Sequence, residues 1–213
     1  MKVAYFAESP ADEAALKVLT EAILGRQTER VIPSGLLHRG WPAVKNALRS
    51  IFLELHYHTD SEGLVVIVDS NGSPLHLPAH EQGGGHDAKC RLCELRRIID
   101  EAISRARPRK DRSPLKIALG IAVPAIEAWL LCGVDPHVGE AAWANGLKNN
   151  QAPYTIDQLK TQLYGTPRPS LRCETEAMTT AALRLASDSA VLTERFPVGF
   201  GLLKRSLMAW QRP

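Results

Sequence analysis

Residues 65–72 read VVIVDSNG, an apolar run that ends abruptly in Asp69, Ser70 and Asn71. Four consecutive β-branched residues are typical of a strand whose two faces are both covered, as in a parallel sheet. The polar residues follow at the carboxyl end of this strand, where ligands bind in open α/β sheets. The stretch therefore predicts a buried strand that presents an acid and an amide for metal or phosphate chemistry.

Strand-like and helix-like patterns alternate from the N-terminus as far as Gly133. They predict strands at residues 2–7, 30–33, 64–68 and 115–123, and helices at 9–25, 41–55, 87–106 and 124–133. Such alternation is typical of an α/β fold with a parallel sheet and helices on both faces, and right-handed crossovers leave few topologies. A strand order of 2-1-3-4 would place Glu8 and Asp69, which follow the first and third strands, across one crevice.

The pattern changes after Gly133. Helical segments are expected near residues 156–164, 174–187 and 200–210, separated by breaks that contain proline and glycine. We therefore expect an α/β domain over residues 1–135 and an α-helical C-terminal extension over residues 136–213, packed on that domain.

The composition is ordinary for a globular protein, with 45% apolar residues, 23% charged residues and a net charge of +3. No apolar run has the length of a membrane span, and the N-terminal residues MKVAYFAESP lack the apolar core of a signal peptide. The expected location is the cytoplasm. In that compartment the four cysteines, Cys90, Cys93, Cys132 and Cys173, are not expected to form disulfides.

One segment is markedly basic. Between Lys89 and Lys116 there are ten Lys or Arg residues and four Asp or Glu residues. Such an excess predicts contacts with the phosphates of a nucleic acid. The alternative is a solvated helix face followed by a polar connector. A protein partner or a second copy of the chain is a further possible partner.

Two acids flank the end of the first predicted strand. Glu8 ends that strand, and Asp12 lies in the first turn of the following helix. Asp12 has a structural explanation, because an acid at the third helical position suits a capping box and the helix dipole. Glu8 is a candidate functional residue, although a strand-end glutamate is also commonly solvated.

Three further residues extend the acidic set. Asp69 and Asn71 lie on the same side of an extended segment, and Mg²⁺ prefers a few such oxygen ligands together with water. The alternative for Ser70–Gly72 is a simple turn. Glu127 stands within the apolar sequence 125–131 and, if buried, needs a partner or a metal. A surface position near a helix N-terminus is its alternative.

The order of these residues resembles a known family. Strand-Glu8-x-x-x-Asp12-helix followed by strand-Asp69-x-Asn71 resembles the Toprim domain of topoisomerases, primases and overcoming-lysogenization-defect nucleases. The segment 124–131, PAIEAWLL, is similar to the P-x-x-E-A-W-L-L stretch of small Toprim-like proteins. The resemblance covers roughly residues 2–133, and the helical tail matches nothing comparable.

The resemblance implies a nuclease that depends on Mg²⁺ or Mn²⁺ and hydrolyses phosphodiesters in DNA or RNA. It assigns Glu8 as general acid/base or metal ligand and makes Glu8 and Asp69 catalytic. The implied metal ligands are Glu8, Asp12, Asp69, Asn71 and Glu127. The sequence departs from the family at Asn71, where a second Asp is usual. This departure leaves open one-metal chemistry or an inactive module that binds nucleic acid or a protein partner.

A second group of potential ligands lies in and after the long segment 70–86. It comprises His76, His80, His86, Cys90 and Cys93. Cys90 and Cys93 have zinc-ligand spacing on one helix face, so a structural zinc held with His86 and with His80 or His76 is one prediction. A second is that His80 and His86 reach the acidic crevice. The third is a core cysteine with solvated histidines, since a single C-x-x-C is a weak signal.

Overall fold

Four parallel strands form one sheet, in which the second strand of the chain lies at one edge, followed by the first, the third and the fourth. The computed structural model describes residues 1–34, 40–81 and 87–211. The strands are β1 (Lys2–Phe6), β2 (Glu29–Val31), β3 (Gly63–Asp69) and β4 (Lys116–Ala122). The predicted α/β class is confirmed, and the strand order is 2-1-3-4, the order that would bring Glu8 and Asp69 together.

The segment 63–69 is the centre of this sheet. Val66 is opposite Phe6 of β1 and Leu119 of β4, and the last residue of β3, Asp69, is opposite Ala122. Every residue of β3 before Asp69 is buried, because neighbouring strands satisfy its backbone and helices cover both faces. The β-branched run therefore has the environment that its composition indicates.

The sheet is flanked by helices on both sides. Within the described residues the helices are α1 (Pro10–Leu24), α2 (Gly40–His58), α3 (Arg91–Arg105), α4 (Ile126–Leu130), α5 (Glu140–Lys148), α6 (Ile156–Tyr164), α7 (Leu171–Ala186), α8 (Ser189–Arg195) and α9 (Gly199–Ala209), with a short 3₁₀ helix at Pro78–Glu81. None of the helices in these ranges is long and apolar enough to cross a membrane.

Two apolar layers cover the two faces. On one face, α2 and α3 pack against strand side chains such as Phe6 and Val66. On the other, α1, α4 and the C-terminal helices share a single core with Tyr5 and Ile67. Because side chains alternate along a strand, neighbouring residues of β1 and β3 supply the two layers. The C-terminal helices thus complete the layer that α1 begins.

The ends of α1 follow the capping chemistry of the sequence. The Ser9 hydroxyl accepts a hydrogen bond from the Asp12 amide at 3.1 Å, and Pro10 occupies the first turn. Gly25 ends the helix in the left-handed region with φ +64°, a conformation that glycine adopts without a Cβ clash.

Some predicted helix starts were wrong, and two helices were not predicted from the sequence. α3 starts at Arg91 instead of Asp87, because the Asp87 carboxylate and carbonyl accept hydrogen bonds from the amides of Lys89 and Cys90 and form a turn. α7 starts three residues early, after its N-cap Ser170. α5 and α8 were missed because each is short, and α5 contains an Asn-Gly pair that is typical of turns.

Candidate functional site

The carboxyl ends of three neighbouring strands open onto one crevice, which we call the acidic crevice and define by Glu8, Asp12, Asp69 and Glu127. Glu8 lies two residues beyond β1, and Asp69 is the last residue of β3. Asp12 and Glu127 lie in the first turns of α1 and α4, the helices that follow β1 and β4. Parallel pairing places all of these chain segments at the same edge of the sheet.

Two hydrogen bonds connect the strand ends. The Glu8 Oε1 atom accepts from the backbone amide of Asp69 at 2.9 Å. The Asp69 Oδ1 atom in turn accepts from the backbone amide of Ile126 at 3.0 Å. Each acid therefore accepts a hydrogen bond from a backbone amide near the end of a neighbouring strand. This bond fixes the orientation of its side chain.

Neighbouring acids disfavour the ionisation of Asp12 and Asp69. Burial raises the pKa of Asp12 to about 8, and repulsion from Glu127 adds to this. Burial, and then repulsion from Glu127, Asp12 and Glu8, raises the pKa of Asp69 well above its usual range. Burial also raises the pKa of Glu8 and of Glu127. A bound cation would relieve this repulsion, so the crevice has the electrostatics of a divalent-metal site.

Arg91, the first residue of α3, is the main cation in contact with these acids. Its Nη1 atom donates to the Asp69 carbonyl at 2.8 Å and lies 3.3 Å from Glu8 Oε1, and its Nη2 atom donates to the Asn71 carbonyl at 3.4 Å. The guanidinium also lies over the Trp41 ring, 5.3 Å from its centroid. Sequence reasoning missed this role, because nothing distinguishes Arg91 from the other basic residues around it.

The C-terminal helix α6 contributes to the same crevice. The Tyr164 hydroxyl donates to Glu127 Oε1 at 3.2 Å, and Lys160 Nζ lies 3.9 Å from the same oxygen. Glu127 is 5% exposed, so it is buried with partners and does not occupy the surface position that was its alternative. Neither partner carries a sequence signal, since both belong to a distant part of the chain.

Asn71 has the conformation of a turn residue. Its side chain is exposed, and φ is +32° at Asn71 and +76° at Gly72. Its amide Nδ2 atom lies 3.5 Å from Asp69 Oδ2, so the carboxamide contacts the acid through its nitrogen. The side chain thus reaches Asp69 from the solvent side of the crevice.

A second cluster lies beside the N-terminus of α3, and we call it the Cys–His cluster: His76, His80, Cys90 and Cys93. One ligand atom from each residue lies within 4.8 Å of the others, and this group could hold a metal ion such as zinc. Among the described residues it is the one set of His, Cys, Asp or Glu side chains that is this compact. Cys90, Cys93 and His76 are buried, and His80 is partly exposed.

Three sulfur–nitrogen distances in the Cys–His cluster are close to the edge length of a zinc tetrahedron. His76 Nδ1 lies 3.4 Å from Cys90 Sγ and 3.6 Å from Cys93 Sγ, and His80 Nδ1 lies 3.5 Å from Cys93 Sγ. Tetrahedral zinc with bonds of about 2.3 Å to sulfur and about 2.0–2.1 Å to nitrogen has sulfur–nitrogen edges of about 3.6 Å. His76 and His80 thus both join the cysteines, whereas His86 lies outside the described residues.

The basic segment uses much of its charge internally. Arg97 forms ion pairs with Glu94 and Glu101. Arg109 pairs with Asp111, and Arg112 donates to the Leu55 and Thr59 carbonyls at the end of α2, at 2.6 and 2.7 Å. These contacts are those expected if the basic segment is a solvated helix face followed by a polar connector. They leave less positive charge free to contact the phosphates of a nucleic acid.

A well-formed apolar cavity lies away from both clusters. It has a volume of about 190 Å³ and is lined by Phe52, Ile103 and Leu115 among others, close to the amino end of β4. Its arginines, Arg109 and Arg112, are the ones that bond to backbone carbonyls of α2. The chemistry-bearing residues are therefore at the other edge of the sheet.

Comparison with protein-family models, with curated proteins and with solved structures gives no match. The Toprim resemblance therefore continues to depend on the residues of the acidic crevice and their order.

Proposed function

We propose that the protein is a divalent-metal-dependent phosphodiesterase of the nuclease type, acting on DNA or RNA at the acidic crevice. The observation that carries the proposal is the placement of four carboxyl groups at the carboxyl edge of a parallel sheet, where neighbouring acids add to the raised pKa of Asp12 and of Asp69. This arrangement agrees with the Toprim resemblance of the same four residues. It also suits a cation that is bound in part by the substrate phosphate.

Mg²⁺ or Mn²⁺ fits this donor set, because hard cations prefer carboxylate oxygens. Asp12, Asp69 and Glu127 would hold the ion, with Glu8 beside it and Asn71 as a possible neutral ligand. The bound cation would supply charge neutralisation at the phosphate and a lowered pKa for a nucleophilic water.

The chain itself supplies orientation and a proton-transfer group. Asp69 is oriented by the amide of Ile126, and Glu8 is oriented by the amide of Asp69 and by Arg91. Burial raises the pKa of Glu8, whereas Arg91 and the Asp69 amide oppose that rise. A raised pKa shifts Glu8 towards the range in which a carboxyl group is an effective general acid or base.

A cleavage assay tests the proposal. Purified protein with Mn²⁺ is incubated with plasmid, single-stranded DNA and RNA, beside Glu8→Gln and the control Glu29→Gln, an exposed acid on β2. We expect cleavage by the wild type and by the control, and its loss in Glu8→Gln. Equal activity in wild type and Glu8→Gln would identify a contaminating nuclease and defeat the proposal.

A second candidate is a catalytically weak or inactive module that binds nucleic acid or a protein partner. The exposed Asn71, which stands in a turn where the resembled family has an acid, favours it. Titration calorimetry separates the two candidates. Absence of any Mg²⁺ or Mn²⁺ binding that depends on Asp69, together with salt-sensitive binding of oligonucleotides, would favour the binding module.

For the Cys–His cluster the proposed ion is zinc, in a structural role. Two thiols and two imidazoles are the ligands that zinc takes in closed four-coordinate sites, and hard ions such as Mg²⁺ avoid them. Elemental analysis of protein purified without chelator should give about one zinc per chain. His80→Ala should lose it, and Cys173→Ser, a change in the distant helix α7, should retain it.

A further inference from the structure

Arg91 lies between the two cysteines of the Cys–His cluster in the sequence Cys90-Arg91-Leu92-Cys93. Cys90 is the N-cap of α3 and Cys93 lies in its first turn. The backbone that carries both thiols is therefore the same turn that carries Arg91. Any ligand that fixes the positions of the two sulfur atoms also fixes the backbone position from which the Arg91 side chain extends.

The guanidinium of Arg91 connects three segments at the acidic crevice. It donates to the carbonyls of Asp69 and Asn71 at the end of β3, pairs with Glu8 after β1 and stacks on Trp41 of α2. Its side chain is only 16% exposed, which leaves little freedom for another rotamer while the surrounding contacts persist. Arg91 thus holds the orientation of Glu8 from the α3 side.

The histidines of the Cys–His cluster belong to the segment that leaves the acidic crevice. Residues 73–81 run from Asn71 and Gly72 to the 3₁₀ helix, and His76 and His80 connect this segment to Cys90 and Cys93. A metal at the cluster would therefore close a ring. The ring runs from Asp69 through the segment to the metal, then through the first turn of α3 and Arg91 back to the Asp69 carbonyl.

We propose that metal occupancy of the Cys–His cluster controls the geometry of the acidic crevice, with Arg91 as the positioning residue that transmits it. With the metal bound, the first turn of α3 is fixed and Arg91 keeps Glu8 and the Asp69 backbone in place. Without it, four ligand side chains lose their common partner, the turn loosens and the Arg91 contacts weaken. The part of this proposal that concerns cation binding at the acidic crevice depends on the proposed function, whereas the structural link does not.

The test uses hydrogen–deuterium exchange of peptides that cover residues 69–71, together with the zinc content of each sample. The Asp69 amide is a direct reporter, because it donates to Glu8, which Arg91 holds. The variants are His80→Ala, Arg91→Ala, Arg91→Lys and the double variant His80→Ala/Arg91→Ala. The controls are Cys173→Ser for the cysteines and Arg105→Ala, an exposed arginine at the other end of α3.

His80→Ala should lose zinc, and its Asp69 amide should exchange about tenfold faster, because Arg91 no longer holds Glu8, the acceptor of that amide. The Ser70 and Asn71 amides donate to the Ala122 and Pro124 carbonyls and should keep their protection. Arg91→Ala should show the same acceleration while it retains zinc. The double variant should exchange no faster than either single variant, since both act through one contact. Arg91→Lys should recover only part of the protection, because an ammonium can donate to Glu8 or to the Asp69 carbonyl but lacks the planar fork that reaches both strand-end carbonyls.

Three outcomes would overturn the proposal. The first is wild-type protein that takes up no zinc. The second is a His80→Ala protein that has lost zinc and exchanges normally at the Asp69 amide. The third is an Arg91→Ala protein with unchanged exchange there, a result that decides the matter even if His80→Ala fails to fold. Exchange in α7 reports whether the remainder of each variant is intact.

Mn²⁺ titration of the same samples separates this proposal from the proposed function. We expect Mn²⁺ affinity at the acidic crevice to fall about tenfold in His80→Ala, which leaves every charge of the crevice in place, and to stay unchanged in the controls. Wild-type protein that binds no Mn²⁺ and cleaves nothing, but shows the exchange coupling, would defeat the proposed function alone. Normal Mn²⁺ binding in a zinc-free His80→Ala protein would overturn the proposed effect of the Cys–His cluster on cation binding.

Discussion

The acidic crevice and the Cys–His cluster lie on the two sides of the first turn of α3. The two sites differ in the kind of polar side chain that they bury. The crevice concentrates four carboxyl groups that repel one another and share a small number of cationic partners. The cluster gathers two thiols and two imidazoles, and three of its four residues are buried. Closed four-ligand sites are typical of structural metals, whereas sites open to solvent and substrate are typical of catalysis.

We therefore expect a metal in the acidic crevice to exchange with solvent more readily than a metal in the Cys–His cluster. A cation in the acidic crevice is expected to come and go with substrate, because oxygen ligands and water hold it loosely. A metal in the Cys–His cluster is expected to be part of the folded state, because thiolates and imidazoles bind it tightly and join two chain segments.

The strongest effect is expected from Asp69→Asn. The change preserves the acceptor for the Ile126 amide but removes one negative charge from the crevice. Hydrolysis should fall about a thousandfold, equivalent to several kcal/mol of lost transition-state stabilisation. The metal-free variant should nevertheless melt at a higher temperature than the wild type, because repulsion is reduced. Asp100→Asn, an exposed acid on α3, is the control and should change neither quantity.

Removal of one cluster ligand should affect stability most. Cys93→Ser replaces a buried thiol whose sulfur contacts both histidines. Loss of the metal should lower the free energy of unfolding by about 2–5 kcal/mol, measured by urea denaturation with added Zn²⁺. Cys173→Ser should leave it within about 0.5 kcal/mol of the wild-type value. A Cys93→Ser protein of normal stability would indicate that the cluster holds no structural metal.

The acidic crevice should make the metal-free protein less stable as the pH rises. In the folded protein the pKa of Asp12 is raised to about 8 by burial and by Glu127, whereas an unfolded aspartate ionises near pH 4. Between these values the folded state keeps a proton that the unfolded chain has released, so stability is largest at low pH in this window and falls as the pH approaches about 8.

Thermal melts of metal-free protein at pH 5.5 and 8 measure this dependence. The melting temperature should be higher at pH 5.5, and saturating Mg²⁺ should raise the value at pH 8 more than that at pH 5.5. Asp12→Asn should reduce the difference between the two pH values. An unchanged difference in Asp12→Asn would locate the titrating groups elsewhere.

The smallest effect is expected from Tyr164→Phe on α6. The change removes a hydrogen bond to Glu127 without altering the shape of the side chain. We expect a loss of about 1 kcal/mol in stability and a less than tenfold weakening of Mn²⁺ binding. Tyr57→Phe, at an exposed hydroxyl that accepts from the Arg107 amide, is the matched control and should leave Mn²⁺ binding unchanged. Unaltered Mn²⁺ binding in Tyr164→Phe would mean that the C-terminal helices do not contribute to the crevice.

The sequence predicts those features that arise from local patterns. The β-branched run before Asp69, the Ser9 cap and the Gly25 stop each reveal an element through its own residues. The sheet order follows because few parallel topologies satisfy right-handed connections. With the strand ends placed, the proximity of Glu8 and Asp69 also follows from the sequence.

The sequence does not predict the contacts between segments that lie far apart in the chain. Arg91 and Tyr164 reach the acids from α3 and α6, and no spacing rule relates them to Glu8 or Glu127. The histidines that join Cys90 could not be selected from the sequence, because the path of residues 70–81 decides which imidazoles come within reach. Local patterns therefore located the elements, and tertiary packing selected the partners.

Anomalous diffraction from crystals soaked in Mn²⁺, recorded at both the manganese and zinc absorption edges, locates both metals in one experiment. We expect a manganese peak bound by Asp69 and at least one of Asp12 and Glu127, and a separate zinc peak among His76, His80, Cys90 and Cys93. A crevice that stays free of manganese at saturating concentration would refute the proposal of two distinct metal sites, as would manganese displacing zinc from the Cys–His cluster.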